Sequence, residues 1–507
     1  MSKNPRITPT NLKVYTNRHD TFNQPIDNLF DISNGNTGNV LDDYNATTAA
    51  VQDFLSQAIQ SNKRVRCLGG GWSFTKVAAT EGWILNTKAL NMIITISGVS
   101  IAPQYTGDKD QLLFVQCGNS IQELDDYTQA NQKSLKTQAA SNGQTLIGAI
   151  STSTHGASID VGGIQDYVVG LHIIVSPDKH IWLERASHPV VSDAFIAKLQ
   201  TVLIRDDELF NAALVSFGSF GFIHGAMIET EPIYLLEGYR ILVPYDDKMK
   251  QVMTTLDFSN ASFLPYGSER PFHFQVVVNQ YDIPAGAYLT VMYKRPYTAD
   301  HQPPVRDLSK AGPGDDVPSF LGKFTDLLPS VTPFIVSKLV KSQYSLYSKL
   351  FGTLGEIFTN SEVRGRVASA AVGFPLSYVA RVNDLLIRLN GSDGPFVGIF
   401  SYRYVKGSKA TLAFTKFDYT CVMELDAVMS NETDRFYAAV WKEMDAANIP
   451  YTFHWGKINN LANADLSKMY GPGRASWIKA RNTLLPPVSL TLFNNQLLSD
   501  WGLDGSV

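Results

Sequence analysis

Three stretches of the chain are almost bare of side chains, and that bareness is a chemical property. Residues 64–74 read RVRCLGGGWSF. A short strand ending in Gly69, Gly70 and Gly71 can bring peptide N–H groups against an anion, because glycine tolerates positive φ and has no Cβ in the way. Ser73 adds a hydroxyl donor. The triplet is neither a G-x-G-x-x-G helix opening nor a phosphate loop with lysine; an ordinary glycine turn would read the same. Residues 143–158, GQTLIGAISTSTHGAS, alternate small residues with hydroxyls. Such a segment packs too thinly for a core and suits a flat ligand lying on backbone. His155 is its one titratable group, with a hydrogen-bonded core histidine as the competing reading. Residues 216–223, SFGSFGFI, offer a third glycine-spaced approach. Together the three segments point to a large cofactor with a diphosphate and a flat ring.

The elements that must position them form an α+β pattern. After a polar stretch at 1–30, read as an arm or loop, short strands and helices alternate to about 235. Val51, Phe54, Leu55, Ala58 and Ile59 recur at helical spacing after Asn45 or Thr47 as cap, and Val65–Leu68 reads as a strand entering the glycines. Ile121, Leu124 and Tyr127 suggest a second helix, and 168–175 with 180–183 suggest paired strands. From 236 to 430 the texture changes: strands at 270–280 and 287–294, a Pro/Gly/Asp loop at 302–318, then strands at 397–406 and 419–426. The tail, 431–507, reads as helical around a His-Trp-Gly-Lys turn.

Composition bounds the rest. The chain has 507 residues, 44% hydrophobic and 18% charged, so it is a folded globular protein. Lys plus Arg (43) nearly balances Asp plus Glu (47), which argues against a global basic field for nucleic acid. The three cysteines, Cys67, Cys117 and Cys421, form no C-x-x-C, so neither a disulfide framework nor a metal site is expected. The start lacks an apolar signal region and no run of 18 apolar residues occurs. A cytoplasmic protein without a transmembrane segment is the expectation.

In this order RVRCLGGGWSF, QTLIGAISTSTHG, DELFNAALVSFGSFGFI and FHWGK resemble the vanillyl-alcohol-oxidase superfamily with its PCMH-type FAD-binding domain, nearest its aldonolactone and alditol oxidase branch. The resemblance runs over about 40–235 and returns at 398–507. It implies an FAD-binding domain at 31–235, a mixed-sheet substrate domain at 236–430, and a C-terminal segment, 431–507, that completes the active site. It also implies that Arg66, Gly69, Gly70, Gly71, Trp72, Ser73 and Phe74 hold the diphosphate region. Ile147, Gly148, Ala149, Ser151, Thr152, Ser153, Thr154, His155 and Gly156 then run beside the flavin. Gly218, Gly221, Phe222 and Ile223 contact the adenosine part and the ring edge, and Gly118 matches the family's glycine after a strand.

Two departures matter. Relatives that link flavin covalently carry histidine where this chain has Trp72, and the bicovalent branch adds a cysteine that 141–158 lacks, so noncovalent FAD is expected. Relatives also carry Glu-x-Arg on one strand and His or Asn on the next. Here the first reads Ser401-Tyr402-Arg403 and the second falls on Glu424. The exchange suggests that one negative charge has moved between neighbouring strands; Glu424 is either a base or a salt-bridge partner of Arg403. Lys457 is the candidate for stabilising reduced flavin or anchoring the substrate oxygen, with His454 beside it.

Residues 319–358 are apolar, with Leu321, Phe324, Leu327, Leu328, Phe334, Leu339, Tyr347 and Phe351 among interleaved lysines. They read as one long helical region, either packed on the second domain's sheet or forming a lid for a lipophilic substrate. The expected reaction is hydride transfer from a hydroxyl-bearing carbon of a small alcohol, lactone or lipophilic substrate to FAD, with molecular oxygen as acceptor. A dehydrogenase using another acceptor, a tailoring oxidase and an idle flavin-binding protein are the alternatives.

Overall fold

The computed structural model describes residues 3–96, 98–305, 312–314, 332–360 and 367–505. In the first half, a four-stranded sheet runs in the order Arg6–Pro9, Asn28–Ser33, Trp83–Ala89 and β1 (Val65–Leu68). A six-stranded sheet follows, ordered Val202–Arg205, Lys179–Glu184, Val168–Ser176, Phe222–Glu229, Leu112–Gln116 and Ile93–Thr95. The helix Val40–Gln60 packs here through Tyr44, Thr47, Val51, Phe54, Leu55 and Ala58, the three-and-four spacing of one helical face. It begins earlier than expected, because Asn39 accepts hydrogen bonds from the amides of Leu41 and Asp42 and so caps it before Asn45. The helix Ile121–Ala130 starts at a capping box between Ser120 and Glu123.

Residues 3–30 are not a loose arm. Arg6–Pro9 pairs antiparallel with Asn28–Ser33, and the amide of Arg18 donates to Gly71 O at 2.9 Å. Backbone pairing supplied by a strand twenty residues on holds a polar segment that has little apolar pattern of its own.

The second half is an eight-stranded sheet in the order Tyr347–Gly352, Tyr234–Val243, Ala287–Pro296, His273–Val278, Gly398–Lys406, Tyr419–Val428, Val367–Pro375 and Thr452–Phe453. Three of these carry the site and are labelled β2 (Val367–Pro375), β3 (Gly398–Lys406) and β4 (Tyr419–Val428). Strand alternation separates their two faces. On β3, Phe400 stacks on Phe436 of the helix Asn431–Ala446, and Tyr402 donates to Asn383 Oδ1 of the helix Val379–Ser392 at 2.6 Å. Each such aromatic contributes about 1.5–3 kcal/mol by burial. Ser401 and Arg403 point the other way.

The apolar region is not one helix. Thr332–Gln343 is helical and sets Val336, Leu339 and Val340 against Val277 and Tyr288 of the sheet, but Tyr347–Gly352 is that sheet's edge strand. Pairing with Tyr234–Val243 satisfies its backbone, which helical spacing of its side chains does not reveal. Leu321, Phe324, Leu327 and Leu328 lie outside the described residues.

Candidate active site

A cavity of about 1710 Å3 of atom-free space, including its open mouth, is lined by residues of both halves. One wall is the glycine loop. A Cβ on Gly69 would stand 2.1 Å from Thr145 Oγ1, and one on Gly70 would stand 2.7 Å from Gly143 O; Gly71 has φ +70°. Among the described residues, no protein acceptor meets the amides of Gly70, Gly71, Trp72 or Ser73. A row of amides without acceptors, opened by glycines, is the donor set a diphosphate needs. Phe74 turns back into the protein, its amide donating to Gly456 O at 2.8 Å.

Ile147, Gly148, Ala149, Ser151, Thr152, Thr154 and His155 line the same cavity, as do Gly218, Gly221, Phe222 and Ile223. Gly218 and Gly221 both have positive φ, and a Cβ on Gly221 would reach within 2.6 Å of Ile174 O. Gly118, Ser153 and Gly156 stand back from it. Gly118 lets two strands close up, since a Cβ there would sit 2.1 Å from Thr87 O; Gly156 lies against Gln138 O in the same way.

Arg66 borders the cavity but has nothing left to give a phosphate. Its Nε and Nη2 donate to Val77 O, its Nη1 to Gly218 O and Phe493 O, and its Nη2 also to Phe217 O. All five guanidinium donors are therefore used. Burial pushes its pKa down to about 10, with Arg481 adding to the fall and Cys67 opposing it. It acts as a strut joining the glycine loop, the 217–218 turn and the C-terminal tail.

The His-Trp-Gly-Lys turn docks directly on the glycine loop. Thr75 Oγ1 donates to Trp455 O at 2.9 Å across 380 positions of sequence, and Trp455 is anchored by its Nε1–H to Leu412 O at 2.7 Å. His454 Nδ1 accepts from the amide of Gly456 at 3.0 Å, so its proton sits on Nε2. Burial, then His155 and Lys457, hold the His454 imidazole well below its usual range, neutral. His155 Nδ1 lies 2.8 Å from Gly156 O, which leaves its Nε2 lone pair facing Glu424 Oε1 at 3.9 Å. Burial lowers His155 to about 4, the Glu424 carboxylate opposing and Arg403 assisting.

The floor of the cavity is charged. Arg403 Nε lies 3.2 Å from Glu424 Oε2, an ion pair without hydrogen-bond alignment, and Lys457 Nζ lies 3.6 Å from Glu424 Oε1. Burial alone would raise Glu424, but Arg403, Lys457 and His155 together hold it down to about 2. Ser401, opposite Glu424 in the β3–β4 register, accepts a hydrogen bond from Gln275 Nε2 at 3.1 Å. The carboxylate of the floor thus stands on β4, and Arg403 of β3 pairs with it across the two strands.

Three residues at the site had escaped the sequence. His19 lines the cavity, stacked on Phe74 with centroids 4.0 Å apart and edge-on to Trp72 at 5.6 Å. Nothing in its neighbourhood in sequence marks it. Asp426 lies two residues past Glu424 on β4, and that i, i+2 spacing was the available signal. Ser369, in the bland run VASAAVGFP of β2, carried none; it donates to Asp426 Oδ1 and accepts from Lys457 Nζ. Trp72 packs beside His19 and under the Arg18 guanidinium, 5.2 Å from its ring, and its buried Nε1–H meets no protein acceptor among the described residues. Among the described residues no cluster of metal-ligating side chains exists and no helix is long and apolar enough to cross a membrane.

Comparison with known proteins finds similarity in sequence and in fold. A family model described as FAD binding domain matches residues 44–183. The chain superposes over 99% of its length on a histidine-to-alanine variant of cholesterol oxidase from Brevibacterium sterolicum, with a TM-score of 0.66 at 11% identity and 98% of that chain covered. Residues 44–183 are thus similar to an FAD-binding domain, and the chain as a whole shares the two-domain α+β fold of that oxidase. Curated relatives include D-arabinono-1,4-lactone oxidase of Debaryomyces hansenii, 24% identical over 43% of this chain and 37% of that protein. A putative D-arabinono-1,4-lactone oxidase of Neurospora crassa is 22% identical over 87% of this chain and 80% of its own length. L-gulono-1,4-lactone dehydrogenase of Mycobacterium tuberculosis is 26% identical over 37% of each chain. The matched part of this chain thus spans little more than a third of two of these three relatives.

Proposed function

We propose that the protein binds FAD noncovalently and oxidises a hydroxyl-bearing carbon of a small, hydroxyl-rich substrate such as an aldonolactone or alditol, with molecular oxygen as electron acceptor. The observation that carries this reading is one cavity whose amide-lined wall leads onto a charged floor. FAD supplies the hydride acceptor when bound. Gly70–Ser73 hold the diphosphate by backbone, Ile147–His155 flank the ring, and residues 217–223 close the far side. Trp72 packs in place of a histidyl link, since an indole makes no such bond.

The floor supports the chemistry in two ways. The Arg403 and Lys457 cations stand where a substrate oxygen or a growing negative charge would be held. Glu424, held anionic at about 2, pairs with both and is too weak a base to accept an alcohol proton at neutral pH. So many fixed charges and hydroxyls favour polar substrates over sterols. The division of labour at about 31–235, 236–430 and 431–507 belongs to the same proposal. So does a cytoplasmic setting, which three free cysteines suit.

Two measurements test it. Acid precipitation of purified protein is expected to leave a colourless pellet and a yellow supernatant; yellow retained in the pellet overturns noncovalent binding. Anaerobic mixing with D-arabinono-1,4-lactone, L-gulono-1,4-lactone, alditols and cholesterol is expected to bleach the flavin with a lactone or alditol. Bleaching by none of them sinks the substrate reading. A second reading is a dehydrogenase, favoured by the naming of the mycobacterial relative; peroxide release on aerobic turnover separates the two.

A further inference from the structure

Behind Lys457 lies a carboxyl that the ion pair does not use. Asp426 is buried on β4, outside the cavity lining, and faces a different group from each element packed on it. Ser369 on β2 stands directly opposite it in register and donates to its Oδ1. Lys457, from the turn after Thr452–Phe453, places Nζ 3.6 Å from the same Oδ1. Glu424 precedes it on its own strand, Arg403 approaches from β3, and Tyr437 faces it from the helix Asn431–Ala446. Ser369 is thus a single-hydroxyl bridge: its Oγ accepts from Lys457 Nζ and its proton points at Asp426. One ammonium is shared by two carboxylates at equal distance, and Glu424 also has Arg403 at 3.2 Å.

We infer that Asp426 is the proton store of this site, acting through Ser369 on Lys457. The inference rests on the oxidoreductase reading above. Lys457 passes a proton by way of Ser369 Oγ to Asp426 Oδ1, and the amine so freed takes the proton of the substrate hydroxyl. One O–H bond of the substrate breaks and one N–H bond forms on Lys457. One N–H bond of Lys457 breaks and one O–H bond forms on Asp426. The electron pair of the broken substrate O–H bond stays on the substrate oxygen, and no external reagent is consumed. The environments agree with this division. Burial and the neighbouring Glu424 charge raise the proton affinity of Asp426, against Lys457 and Ser369, while Glu424 is driven the other way. Two neighbouring carboxyls pushed apart mark which one takes up a proton more readily. Asp426 is a positioning residue in this scheme, because it touches neither substrate nor cofactor.

The experiment uses the flavin-loaded full chain and has two arms. In infrared titration, a protonated-carboxyl band is expected to persist above the ordinary aspartate value of ~3.9, to vanish in Asp426→Asn and to remain in Glu424→Gln. If Asp426→Asn does not fold, Ser369→Ala is expected to shift that band without removing it. In anaerobic rapid mixing with D-arabinono-1,4-lactone, the wild-type bleaching rate is expected to fall on the acid side as the store fills. Ser369→Ala and Asp426→Asn are expected to displace that limb, and Asp426→Glu to restore it. A band indifferent to both Asp426→Asn and Ser369→Ala, or pH profiles that differ from wild type only by a constant factor, overturns the inference. Wild-type flavin that this lactone never bleaches, beside a band that Asp426→Asn removes, counts against this substrate and leaves the proton store standing. Bleaching with unmoved profiles sinks the relay alone.

Discussion

At the glycine loop, peptide amides face the cavity, and side chains are shut out at Gly69 and Gly70 by neighbours 2.1 and 2.7 Å from an added Cβ and disfavoured at Gly71 by its positive φ. Across β2, β3 and β4 the reverse holds: backbone is spent on the sheet ladder, and the cavity meets Ser369, Arg403, Glu424 and Lys457. The two walls therefore differ in what they permit. A backbone site has no side chain to exchange, so its glycines are set by steric space. A side-chain site on a sheet can move a charge one strand sideways, because opposed residues such as Ser401 and Glu424 present their side chains to the same face.

The comparison breaks first at the floor. Glu424→Gln leaves Arg403 and Lys457 facing a neutral amide, and removing one member of a buried pair costs about 3–5 kcal/mol. Thermal unfolding is expected to drop accordingly, with Arg403→Met falling less because Lys457 still balances Glu424; equal losses would mean that the cluster is not a coupled unit. Arg66→Met is expected to come next, at about 3 kcal/mol from carbonyls left without charged donors, with flavin lost because the wall loosens. Stability unchanged while flavin is lost would instead make Arg66 a direct ligand.

On the amide wall, Gly69→Ala is expected to destabilise by about 1–3 kcal/mol through overpacking against Thr145 and to lower flavin content, read from the visible-to-ultraviolet absorbance ratio. Full flavin content in that variant would show that the loop yields. Acid separates the carboxyls. The stability carried by the Glu424 charge is complete above the unfolded value of ~4.3 and is lost as pH falls from there through about 2. Asp426 runs opposite: its raised native affinity favours the fold most at low pH and fades as pH rises past the unfolded ~3.9. Melting curves across that window are expected to slope in wild type and to flatten in Glu424→Gln. The smallest effect belongs to Trp72→Phe, expected to cost less than ~1 kcal/mol because Nε1 has no protein acceptor to lose. A large loss of flavin would identify that N–H as a ligand group.

Much of the wall was legible in the sequence. Glycines in a run after a strand, hydroxyls alternating with small residues, and His-Trp-Gly-Lys in the tail are local patterns whose chemistry follows from residue type. The floor was legible in part: Arg403 and Glu424 fall on predicted strands, and Asp426 stood two residues further on. His19 and Ser369 were not legible. A histidine in a polar N-terminal segment and a serine among alanines acquire a role only when other elements arrive beside them. Arg66 was legible as a cavity residue but not as a strut, because its partners Phe217 and Phe493 lie 151 and 427 positions away. The strand Tyr347–Gly352 was hidden because edge strands take their identity from a partner's backbone, and apolar spacing is silent on pairing.

The sequence by itself determined which residues can approach an anion without side chains and which can carry charge, because conformational freedom and ionisation belong to each residue type. Tertiary structure alone decided which cation meets which carboxylate and where the proton is held. Those depend on distances between elements hundreds of positions apart and on the burial they create, and both exist only once the two halves close over one cavity.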